Sequence, residues 1–168
     1  MVTESVLRKE HAELNRALTT LAARTDGVGE LAKQLLQALR PHQEREEELV
    51  LPILEALGDL AIGGVASAEK PAELAGKLSA EYHIMFREHE EILDRVNKLC
   101  GEAEKVGDKD AAQFGEHLKV HIALEETVLY PAALVASKYA EKMAMGEIES
   151  YGNPERGELK SFGAKGVM

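Results

Sequence analysis

The chain is predicted to be all-α: an up-down-up-down four-helix bundle over residues 1–140, with a C-terminal extension, a short helix and tail, over 141–168. Three observations lead there. Apolar residues recur at intervals of three and four in four long stretches, which is the period of one helix face. Only 4% of residues are aromatic, none is Trp, and β-branched runs are few, a balance that favours helices over a sheet. The connectors between the stretches are short, as antiparallel helices require. With 168 residues the chain can bury one core without disulfide support.

The first helix carries Leu7, His11, Leu14, Leu18 and Leu21 on one face and ends in the turn "RTDGVGE". The second places Leu31, Leu35, Leu39, His42, Glu46, Leu49 and Ile53 on one stripe, with a kink expected at Pro41 and an end at Gly58. A loop of small residues, "GDLAIGGVASAEK", follows, and Pro71 suits the first position of a third helix. That helix aligns Leu74, Leu78, Tyr82, Met85, His89, Ile92, Val96 and Leu99, and is expected to stop at Cys100, before Gly101. The connector "GEAEKVGDK" leads to a capping box at Asp110 and Gln113. The fourth helix shows Phe114, Leu118, His121, Glu125 and Val128 on one face and continues past Pro131.

A formal net charge of −10, from 30 acidic and 20 basic residues, argues against nucleic acid or an anionic membrane as partner. The start of the chain has no apolar run of signal-peptide length, and no stretch is apolar enough to span a bilayer, so a cytoplasmic location is expected. The single Cys100 excludes an internal disulfide and reads as a structural thiol.

Polar residues interrupt the apolar stripes in a repeated pattern. "HQEREEELVLP" begins at His42 and "HIALEETVLYP" at His121; each has Glu four and five residues on and Pro ten residues on. The first and third helices echo one another as "KEHAEL" and "REHEEI". One histidine on an apolar face is ordinarily a hydrogen-bonded core residue, but His11, His42, Glu46, His89, His121 and Glu125 intrude together. The midpoints between successive histidines of this set fall inside the predicted turns, so all four imidazoles lie at one height in the bundle. Glu46 and Glu125 sit one helical turn further along, about 6 Å away. Two buried carboxylates without partners would cost roughly several kcal/mol each, and cations would compensate. Four imidazoles and two carboxylates exceed a tetrahedral zinc site, whereas two bridged ions use every donor. Iron suits this mixed ligation best, with manganese as second choice. A ferritin-like carboxylate centre fails on spacing, because there Glu precedes His by about three residues.

At these residues the chain resembles the hemerythrin-like family, the HHE cation-binding domain, over roughly residues 5–140. The ordered set His11, His42-x-x-x-Glu46, His89 and His121-x-x-x-Glu125 carries the resemblance. It implies two iron ions joined by an oxo or hydroxo bridge and both carboxylates, meeting O2, peroxide or nitric oxide. The oxygen carriers of that family are less similar: their third helix has two histidines four apart, and their last pairs His with Asp. Here His83 is six residues from His89 and rotated away, so it reads as a flanking residue. His117, one turn before His121, is a candidate further ligand, with an outer supporting role as the alternative. Glu47 and Glu126 read either as solvated acids or as groups that orient ligand imidazoles. Tyr82 and Met85 pack in the core or wall a small-ligand pocket. An iron-buffering or iron- and oxygen-responsive module, or an iron donor for cluster repair, stands as the alternative function.

Overall fold

The computed structural model describes residues 2–148, all of whose regular elements are helical. Helix α1 spans Val2–Ala22, α2 Gly27–Leu49, α3 Leu51–Glu55 and α4 Leu57–Ala61. A 3-10 turn over Val65–Ala68 leads into α5, Glu69–Val106, and then α6, Lys109–Leu124. A π-helical turn, Glu125–Leu129, joins α6 to α7, Tyr130–Ala144. α1 packs on α2, α2 on α5, α5 on α6 and α7, and α6 on α1. The boundary expected at residue 140 falls inside α7, whose Met143 is buried; the tail predicted beyond residue 148 lies outside the described residues.

Side-chain caps define two turns. Asp26 accepts from the Gly29 amide at 2.9 Å and Asp108 from the Ala111 amide at 3.0 Å, each satisfying an orphan donor at a helix start. Arg24 pairs with both aspartates and so ties the two turns together. The start of α6 is thus capped by Asp108, not by the expected Asp110.

Four other boundaries differ from expectation. α2 runs through Pro41 unbroken, because Leu39 and His42 on either side of it are held in the core; the interruption comes at Val50, just before Pro52. The helical path then reaches Ala61 instead of ending at Gly58, since Leu60 is buried. α5 passes through Cys100 and Gly101 to Val106 and stops at Gly107, whose φ of 70° is the left-handed cap conformation glycine favours. A glycine inside a helix costs only about 1 kcal/mol, and the helix continues past it to bury Ala103. α5 also begins at Glu69, which places Pro71 within the first turn, where its missing N–H is no loss. Gly115 permits close approach of α6 to α5, for a Cβ there would overlap Cys100 Sγ.

The interior consists of two apolar clusters. One gathers Leu14, Leu18, Leu35, Leu39, Ile92, Val96, Phe114 and Leu118; the other gathers Leu7, Leu49, Ile53, Leu54, Leu78, Met85, Ala133 and Tyr130. Each buried leucine contributes roughly 1.5–3 kcal/mol. Along α1, α2 and α5 the change from one cluster to the other falls at His11, at His42 and Glu46, and at His89; along α6 and the π turn it falls at His121 and Glu125. A polar layer therefore divides the core at one height.

Candidate metal centre

His11, His42, Glu46, His89, His121 and Glu125 are each at most 3% exposed. Their donor atoms form two groups, His42 with Glu46, His89 and Glu125, and His11 with His121 and Glu125, within which the atoms lie no more than 4.8 Å apart. Each carboxylate faces both groups. Glu46 turns Oε1 toward His42 Nε2 at 3.6 Å and Oε2 toward His11 Nε2 at 3.5 Å. Glu125 turns Oε2 toward His89 Nε2 at 3.3 Å, and Oε1 toward His121 Nε2 at 2.8 Å and His11 Nε2 at 3.5 Å. The four-residue spacing of each His–Glu pair puts both side chains on one helix face, and their burial shows that face turned inward.

The second nitrogen of every imidazole meets an outer carboxylate. His42 Nδ1 lies 2.9 Å from Glu88 and His89 Nδ1 3.0 Å from Glu126, both as hydrogen bonds. His11 Nδ1 lies 3.5 Å from Glu47 and His121 Nδ1 3.4 Å from Glu10. Such partners fix ring orientation and raise the basicity of the inward nitrogen. Arg8 holds Glu47 at 2.8 Å, and Arg45 holds Glu88 at 3.1 Å. Glu47 and Glu126 thus approach imidazoles of neighbouring helices. Glu10 and Glu88 were not anticipated, although the Glu-His dipeptide shared by "KEHAEL" and "REHEEI" marks both.

His117 does not join the group. Its side chain is 53% exposed and its Nε2 lies 3.4 Å from Glu10, so it reaches the centre only through Glu10 and His121. The interior positions of that stretch of α6 are taken by Phe114 and Leu118. His83 is exposed, and Met85 and Tyr82 pack in the second apolar cluster.

Tyr130, which the sequence pattern did not single out, stands in the centre. It is fully buried and its hydroxyl donates to Glu46 Oε1 at 2.5 Å, with the oxygen 3.3 Å from His42 Nε2 and 3.2 Å from His89 Nε2. Its only sequence signal is a departure from the repeat, where Tyr130 takes the place of Leu51 before the proline.

The electrostatics fit a cation. Burial opposes charge on His42, yet the Glu46 and Glu88 carboxylates push its pKa up to about 9. His121 is likewise raised against burial by Glu125. Burial would lift Glu125, but the adjoining imidazoles of His11, His121 and His89 hold it well below the usual carboxylate range. Burial, followed by the charges of Glu46 and Glu125, drives the Tyr130 hydroxyl far upward, so it is a phenol in the metal-free protein. Even so, His11 Nε2, Glu46 Oε2 and Glu125 Oε1 have no hydrogen-bond partner. Buried acceptors in that state cost roughly 1–3 kcal/mol each, and a bound cation would satisfy them together. The residues therefore fit a metal ion, with nitrogen and oxygen donors in the mixture that suits first-row transition metals. No described helix is long and apolar enough to cross a membrane. Compared with family models, curated proteins and solved structures, the chain matches none.

Proposed function

We propose that the chain is a hemerythrin-like, up-down-up-down four-helix bundle whose centre holds two iron ions and binds or reacts with a small oxidant: O2, peroxide or nitric oxide. The carrying observation is that two buried carboxylates each direct one oxygen to either of two histidine groups, the arrangement two bridged ions need. Packing pairs that close a ring through α1, α2, α5 and α6 support the bundle. When bound, paired iron supplies electrons and exchangeable positions to a small ligand.

The protein's own part is orientation and exclusion. Glu88 and Glu126 anchor His42 and His89 by Nδ1, leaving Nε2 free to face inward. In the metal-free protein Tyr130 holds its proton against Glu46. Apolar clusters on both sides keep bulk water from the layer, and burial of every donor restricts the ligand to a small molecule. Anaerobic loading with ferrous ion, metal analysis and optical spectra after each oxidant test the function. Two irons per chain and a spectrum changed by at least one oxidant are expected; no uptake, or indifference to all three, rejects it. Iron buffering, sensing or donation is the second reading, favoured because burial of all donors couples metal to the fold; it predicts uptake without turnover.

A further inference from the structure

We propose that the Tyr130 phenol oxygen is a further ligand of the cation held by His42, Glu46, His89 and Glu125, an assignment that rests on the metal-binding function above. Adjacent ligands around an octahedral ion with bonds of about 2.1 Å stand about 3 Å apart, the bond length times √2. The Tyr130 oxygen meets that spacing to both imidazoles, at 3.3 and 3.2 Å, and is closer still to Glu46 Oε1, at 2.5 Å. It therefore occupies a further corner of the polyhedron those donors outline.

The backbone is built to put it there. Five residues along an α-helix lie about 140° around the axis, which would turn Tyr130 away from the face of Glu125. The π turn absorbs one extra residue, shown by the Tyr130 amide bonding the Glu125 carbonyl, and brings the ring to about 40° from that face. The ring is then fixed. It stacks on His89 with centroids 5.3 Å apart and planes 11° apart, and takes edge contacts from Phe86 at 5.8 Å and Tyr82 at 6.2 Å. Packed in this way, the hydroxyl stays at the site when a cation enters. On coordination the phenol O–H bond gives way to an O–metal bond and the proton passes to solvent.

Resonance Raman spectra of the iron-loaded protein test the assignment. The full chain is loaded anaerobically with ferrous ion, desalted and oxidised with hexachloroiridate. Expected are two irons per chain and phenolate ring modes enhanced by excitation in a visible phenolate-to-iron band. The modes should vanish in Tyr130→Phe, which should also lose one iron to a chelator at least about tenfold faster. Should that variant fail to fold, a chain with Tyr82, Tyr139 and Tyr151, the other three of its four tyrosines, changed to Phe must retain the modes. Two irons without phenolate modes, or modes that persist in Tyr130→Phe or are lost from the triple variant, overturn the ligand assignment alone. Failure to take up iron overturns the metal-centre function and this assignment with it.

Discussion

The two halves of the centre share Glu125, and Glu46 reaches from one toward His11 of the other; in almost everything else they differ. Around His42 and His89 the outer carboxylates make hydrogen bonds of 2.9 and 3.0 Å, and a buried phenol touches both rings and Glu46. Around His11 and His121 the outer carboxylates stand off at 3.5 and 3.4 Å, and among the described residues no phenol is present and several polar atoms lack partners. The duplicated sequence thus makes a frame with twofold character, and one substitution in the repeat, Tyr130 for Leu51, makes its halves chemically unequal. The half with partnerless donors gains most from a cation, since nothing else among the described residues satisfies it. The half with the phenol is pre-organised and more crowded.

Experiments that remove one half at a time sharpen this asymmetry. Glu125→Ala should have the largest effect, because that carboxylate alone belongs to both donor groups; metal analysis should show neither ion of the proposed pair retained. His42→Ala and His121→Ala should each leave about one iron per chain. Equal loss of both ions from either variant would break the division into halves. Glu88→Gln should weaken iron binding by about 10–100-fold, the usual cost of losing a partner that orients a ligand. Glu10→Gln should cost less, its contact to His121 being longer, and a competitive chelator titration ranks the two.

Proton linkage gives a further test. The folded-state pKa of His42 is raised from 6.5 to about 9, so its stabilisation of the metal-free protein is complete below pH 6.5 and lost as pH climbs through about 9. Melting temperatures of metal-free samples should fall across that window. Metal needs the neutral ring, so loading at pH 7 should release protons, visible as a buffer-dependent heat. His117→Ala should have the smallest effect, with iron content unchanged and stability altered within about 0.5 kcal/mol.

The six inward residues were legible because the helical period is regular and the histidines are evenly disposed about the turns. The helix ends were less so. Cys100-Gly101 looks like a stop, but the choice between stopping there and at Gly107 rests on burial of Ala103, a tertiary matter. Tyr130 was hidden for a sharper reason: a spacing of five from Glu125 is off-face unless the backbone widens, and a π turn leaves no plain local mark in a sequence. His117 shows the converse. Its spacing of four from His121 satisfies the rule for a shared face, yet Phe114 and Leu118 fill the interior there and the imidazole turns to solvent beside Glu10. Glu10 and Glu88 belong to adjacent helices' histidines rather than to their own, a pairing across elements that no periodicity within one helix reveals.

The polar layer between the two apolar clusters has a consequence for how the molecule holds together. Oil-like blocks on either side cohere separately, and the seam between them is crossed by ionisable groups whose mutual attraction depends on protonation. A cation seated in that seam would act as a rivet through all the long rods at mid-length. Withdrawing it would loosen the assembly from its waist outward, leaving each end still glued by its own leucines.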